Sequence, residues 1–197
     1  QDANLVHQSN PQYVALRDRA RQEGDAMARA FDASHHAYES GDGARAKELS
    51  NEGHAHKSEM ERLNREASQW IFYQNNTDSK PGEVDLHGLY VKEAIQYTDK
   101  AILEAQQRGD PEIHLIVGKG LHSLGGHAKI KPAIEDLMRK HDLVAALDPD
   151  NNGVLIVQIS GRRSPDVDRA RERGAPLLGA ADISRRLEQK DDGCLIM

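Results

Sequence analysis

Two residues apart in the stretch Val84-Asp85-Leu86-His87-Gly88 stand a carboxylate and an imidazole, a natural acid/base pair. On a strand they project to one side while Val84 and Leu86 turn toward a core. Gly88 lets the backbone turn sharply into Leu89-Tyr90-Val91-Lys92-Glu93-Ala94, whose apolar spacing is helical. The pair is thereby expected at the C-terminal edge of a strand, where α/β folds keep their ligand sites. A second stretch, Gly118-Lys119-Gly120-Leu121-His122-Ser123, has the types that hold a phosphate. Glycines let backbone amides approach, Lys119 brings charge, and His122 with Ser123 adds a titratable group and a hydroxyl. It lacks the glycine spacing and Gly-Lys-Ser/Thr ending of a Walker loop, and the third glycine of a dinucleotide fingerprint. Lys129, Lys131, Arg139 and Lys140 offer a small basic rim nearby, although a solvated helix face accounts for them equally well.

The elements that must carry these residues follow from periodicity. After a lead at 1–10, residues 11–79 read as an α-helical hairpin. A helix from Pro11 to Phe31 and a short helical piece from Ser34 to Tyr38 are stopped by Gly41-Asp42-Gly43. A long helix then runs from Ala44 to Asn75-Asn76, before the breakers Lys80-Pro81-Gly82. Phe31, Tyr38, Leu49, Met60 and Trp70 are the expected buried side chains. His35, His36, His54 and His56 lack the i, i+4 step that puts two imidazoles on one helix face, so this region reads as scaffold or docking surface, with no metal site.

Residues 80–160 read as one small α/β domain of order βαβαββ. Its parts are a strand at Val84–His87, a helix at Val91–Arg108 closed by Gly109, and a strand at Ile113–Val117. A helix from about Ala128 to His141 and strands at Leu143–Leu147 and Val154–Ile159 complete it. If the first two strands are neighbours, the turns at Gly88 and at 118–126 share one cleft.

Composition limits the partners. The net charge is −6, and no segment is strongly basic, so a nucleic acid must be gripped locally and with modest affinity. No run reaches membrane-spanning length, the start has no apolar signal core, and the absence of an initiator methionine suggests a processed or trimmed end. One cysteine, Cys194, excludes an internal disulfide framework and fits a reducing, cytoplasmic setting. Residues 161–197 read as a charged, mobile tether. It ends in Cys194-Leu195-Ile196-Met197, the form of a prenylation box for farnesyl. A single lipid without a polybasic neighbour implies weak, reversible membrane association at most.

Taken together, Asp85-Leu86-His87-Gly88 with Glu93-Ala94, then Gly118-Lys119-Gly120-Leu121-His122-Ser123, then Asn152-Gly153-Val154-Leu155, resemble the Smr (small MutS-related) domain. Val117 and Lys119 depart from the family's usual Thr and Arg. The region from Tyr13 to Asn75 resembles the helical domain of unknown function that often precedes eukaryotic Smr domains, carried by Tyr38, Gly41-Asp42, Leu49-Ser50, Gly53, His56, Met60 and Asn64. The resemblance implies a fold like the C-terminal domain of bacterial translation initiation factor three. It also implies nucleic-acid endonuclease activity, which in several eukaryotic relatives falls on mRNA at stalled ribosomes. By the motif match, Asp85, His87, Lys119 and His122 are the working residues. On Asp85 and His87 alone, a helix-capping carboxylate and a backbone-satisfying histidine would be the preferred account; the two further motifs turn it toward function.

The mechanistic expectation has His87, oriented by Asp85, as general base. Lys119, His122 and the loop amides stabilise the developing charge or protonate the leaving oxygen, and Gly88, Gly120 and Ser123 line the phosphate. No cofactor is required for RNA in this version; Mg2+ held by Asp85 is the alternative. The rival function is an adaptor that binds nucleic acid or the ribosome without cutting. RNA against DNA and oligomeric state are not legible.

Overall fold

The structure is a computed structural model that describes residues 3–118, 130–151, 153–159, 168–169, 172–174 and 177–178. It divides into two compact units, residues 1–75 and 76–197.

The first unit holds α1 (Ala3–Gln8), α2 (Pro11–Glu39) and nearly all of α3 (Gly43–Asn76). Asn10 caps α2, its side-chain oxygen accepting from the amides of Gln12 and Tyr13, with Pro11 in the first turn, where its missing N–H costs nothing. The helix then runs unbroken for 29 residues, so the separate piece expected at Ser34–Tyr38 is its continuation. Nothing between Phe31 and Ser34 breaks a helix, and the Ser34 hydroxyl donates to the Ala46 carbonyl of α3 at 2.7 Å. Gly41 at φ +84 reverses the chain, the Asp42 amide closes back on the Ala37 carbonyl, and the Asp42 carboxylate caps α3 through the Arg45 amide.

The helices pair antiparallel: Tyr13 stacks on Trp70, Arg17 donates to Asn64 Oδ1 at 2.8 Å, and Ser34 meets Ala46 at the far end. Small residues set the approach. A Cβ on Gly53 would lie 2.8 Å from the Phe31 ring, and one on Gly24 would lie 3.2 Å from the Met60 sulfur. The buried set is Tyr13, Leu16, Arg17, Ala20 and Ala30 of α2 with Ala46, Gly53, Leu63, Ala67, Ser68 and Ile71 of α3, rich in small residues, and only half-buried positions fall to Phe31, Leu49, Met60 and Trp70. Tyr38, expected inside, is 73% exposed, because it sits in the last turn of α2 before the partner helix has begun. His35, His36 and His54 are exposed, while His56 meets Glu23 of α2 at 2.6 Å. On the solvent side of α3, the hydrogen bond from Arg62 holds the Glu59 carboxyl below its usual range.

The second unit is a mixed sheet of order β1-β2-β4-β3-β5, built from β1 (Glu83–Asp85), β2 (Glu112–Ile116), β3 (Val144–Leu147), β4 (Val154–Gln158) and β5 (Leu177–Leu178). Strand β1 runs parallel to β2, and every other pairing is antiparallel. Helix α4 (Val91–Arg108) makes the β1-to-β2 crossover, so the C-terminal ends of both strands open on one edge of the sheet. Helix α5 (Ile130–Lys140) packs against α4 and β3. The central strand β4 is buried residue after residue from Val154 to Val157, as a strand covered on both faces must be. Gly109, left-handed at φ 73, ends α4 where the sequence placed its stop. The tail is not wholly a tether: β5 adds two of its leucines to the sheet, pairing with Ala145 and Ala146, because the exposed edge of β3 has backbone groups to satisfy. Among the described residues, no helix is long and apolar enough to cross a membrane.

One core position is poorly matched to its place. Thr98 on α4 is fully buried, and its hydroxyl has no hydrogen-bond partner among the described residues. Thr98→Val keeps the shape and removes the stranded oxygen, and is expected to raise stability by about 1 kcal/mol. Urea unfolding of parent and variant checks this; a less stable valine variant would mean that the hydroxyl has a partner in solution.

Candidate functional site

The site grows from the edge strand. Asp85 ends β1, and one more sheet bond, Leu86 N–H to the Ile116 carbonyl, carries the pairing to Leu86 before the chain leaves the sheet. His87 therefore sits in a turn beyond the strand, and the alternation of strand faces is not what joins it to Asp85. A local turn does so. Asp85 Oδ1 accepts the His87 backbone N–H at 2.8 Å and lies 2.6 Å from the imidazole Nδ1. A carboxylate only accepts, so Nδ1 carries the ring proton and Nε2 is left as the basic nitrogen. Asp85 is 5% exposed, whereas the His87 side chain is 23% exposed. The pair is thus a sheltered carboxylate behind a reachable imidazole.

Gly118, the one described residue of the second motif, meets the first motif at His87. Two residues past the end of β2 and at φ +74, it lies so close to His87 that a Cβ there would stand 2.9 Å from Nε2 and 3.1 Å from Cδ2. The third motif holds that glycine in place, because the amides of Val117 and Gly118 both donate to the Gly153 carbonyl, at 2.9 and 3.1 Å. Gly153 is itself fixed by its N–H, which donates to Asn151 Oδ1 within a turn that Asp148 caps. Asp85, His87, Gly118 and Gly153 therefore converge from three separated stretches onto one sheet edge.

Asn76, read from sequence only as a helix end, proves part of this site. Its side-chain amide accepts the Asp85 N–H at 2.8 Å and donates to the Asp85 carbonyl at 2.9 Å. Strand β1 is at the sheet edge, so these backbone groups face away from β2, and the amide replaces the missing neighbour strand. An asparagine near the end of a helix reads as a cap or breaker, and no local pattern announces a partner nine residues on. Asn76→Leu, which strands both groups, is expected to cost about 1–3 kcal/mol of stability and to loosen Asp85. Asn76→Asp, which keeps an acceptor for the N–H, should lose less; equal losses in denaturant titrations would contradict this account.

Gly88, at φ +75, makes the turn the sequence asked of it. Lys119, Gly120, His122, Ser123 and Lys129 lie outside the described residues, as does Cys194, and Lys131 is placed in the first turn of α5 by its backbone alone. Of the expected basic rim, Arg139 is ion-paired with Asp136 one helical turn earlier and its side chain is only 24% exposed, while Lys140 beside it is exposed.

Residues 84–160 match the Smr domain family, and residues 13–76 match a domain of unknown function, DUF1771. Smr domain-containing protein C11H11.03c of Schizosaccharomyces pombe is 35% identical over 154 residues, covering 78% of this chain and 74% of that protein. The chain belongs to the Smr-domain proteins. A further Smr relative, endonuclease NBR9 of Saccharomyces cerevisiae, is 40% identical over 158 residues, which is 79% of this chain and 65% of that protein. This chain thus spans a little under two thirds of its length. The solution structure of the B3BP Smr domain is 32% identical, with a TM-score of 0.40, and covers 49% of this chain and 96% of that one. Within the Smr segment lie Asp85, His87, Gly118 and Gly153, and Asn76 closes the DUF1771 segment.

Proposed function

We propose that this Smr-domain protein is an endonuclease that cleaves RNA, with His87 as general base and Asp85 as the group that orients it. The observation that carries the reading is the Asp85–His87 contact at 2.6 Å with Nε2 against Gly118, the first glycine of the phosphate-type loop. In RNA, Nε2 takes the proton of a 2′-hydroxyl, whose oxygen attacks the adjacent phosphorus; the 5′ oxygen leaves with a proton from a general acid. The products are a 2′,3′-cyclic phosphate and a 5′-hydroxyl. Lys119 and His122, by the family motif, are the groups for the phosphate charge and the leaving oxygen. The name of the yeast relative supports the activity, and mRNA on the ribosome is the substrate setting the family resemblance favours.

Incubation of the full chain with labelled single-stranded RNA, with and without Mg2+, beside Asp85→Ala/His87→Ala, tests this. Cyclic-phosphate ends from the parent alone, without metal, are expected. Products with 5′-phosphate ends that require Mg2+ would assign Asp85 to a metal instead. RNA bound and never cut would make the protein an adaptor.

A further inference from the structure

Aromatic residues make up 4% of this chain, and one of the exposed ones stands beside the proposed active site. Tyr90 is 52% exposed, although Leu86 and Leu89 just before it are 0% and 6% exposed. Its backbone is fixed at both sides. The turn behind it closes through Leu89 N–H to the Leu86 carbonyl, and its own N–H donates to Glu93 Oε2 at 2.8 Å. Tyr90 is the N-cap of α4 in a capping box with Glu93, a position that prefers small polar side chains, so the cap itself does not call for a ring. Three chain steps from His87 limit the separation of the two Cα atoms to about 11 Å.

Resting on the endonuclease reading, we propose that Tyr90 is a stacking platform for a nucleobase of single-stranded RNA, one or two nucleotides from the phosphate attacked at His87. The charge balance points the same way. A chain of net charge −6 gains little from phosphate attraction, so contact with base faces must supply a large share of the affinity. Every base has a face to offer, so the platform is tolerant of sequence. Bases inside a duplex are already stacked, so it selects unpaired strands.

The test is RNA binding by the full chain in the His87→Ala background, which separates binding from cleavage. The probe is a fluorescein-labelled, unstructured RNA oligonucleotide, together with a series carrying a single abasic nucleotide at each position. Tyr90→Ala is expected to weaken binding about tenfold to a hundredfold. Tyr90→Phe, which keeps the ring, should stay within about threefold, a small part of the stacking energy. One abasic position should weaken binding to the tyrosine protein and make no difference to the alanine protein. Unchanged affinity on Tyr90→Ala, or abasic losses identical in the two proteins, overturns the platform while leaving the endonuclease reading standing. A stacking signature in a parent that never cuts overturns the endonuclease reading alone, and a parent that binds no single strand overturns both.

Discussion

Asp85→Asn is expected to slow RNA cleavage by about 10²–10⁴ while leaving the fold in place. The substitution is nearly isosteric, and the new side chain can still accept the His87 backbone N–H through its carbonyl oxygen, so the turn should persist. What it cannot do is hold the tautomer with a full charge. The buried Asp85 Oδ1 accepts the His87 N–H and lies 2.6 Å from Nδ1, which keeps the proton there and Nε2 basic, whereas an amide oxygen in the same place is a neutral and weaker acceptor. The carboxylate also stabilises the imidazolium formed when the base takes its proton, and the amide does not. His87→Ala, which removes the proposed base itself, should fall at least as far. The two losses should not add, since each removes the same base. Single-turnover cleavage of a defined RNA by parent, both single variants and the double variant measures this, with thermal unfolding alongside. A double variant slowed by the full product of the two single losses would mean that Asp85 acts independently of His87, as a metal ligand would.

That dyad was legible in the sequence, but not for the reason the sequence offers. Alternation along a strand puts residues two apart on one face; here β1 stops at Asp85, and the carboxylate reaches His87 by folding back onto its N–H. Period-two spacing and a two-residue carboxylate turn leave the same mark on a sequence. Helix α4 was legible to the residue, because its apolar rows are regular and both its ends are written in glycines that adopt positive φ. The helical hairpin was legible in outline and not in packing. Apolar size suggested Tyr38 as core, while the helices approach through Gly53 and a row of alanines, and small residues carry little signal in a hydropathy pattern. Asn76 and β5 share one cause of concealment. Each satisfies the open backbone of a sheet edge, and which strand will be an edge is a property of topology that no local window contains.

Gly118→Ala should abolish most of the activity, and a matched control separates the reason. Two costs fall on the new methyl. At φ +74 an L side chain is strained, by about 1–2 kcal/mol. The Cβ would also stand 2.9 Å from His87 Nε2, a distance that forces something to move. The ring cannot back away without stretching its 2.6 Å contact to Asp85, and the glycine cannot, because its amide and that of Val117 are tied to the Gly153 carbonyl. Either displacement moves Nε2 from its place, and the methyl covers the nitrogen that is to take the proton. Gly109 provides the comparison: its φ is +73, with no atom of the described residues within 4 Å of an added Cβ. Gly109→Ala is expected to lose about 1–2 kcal/mol of stability and keep its cleavage rate. Gly118→Ala should lose at least as much stability and at least about a hundredfold in rate, the scale of a displaced general base. Equal rates for the two variants, once both are shown folded, would mean that His87 is not the group that meets the RNA.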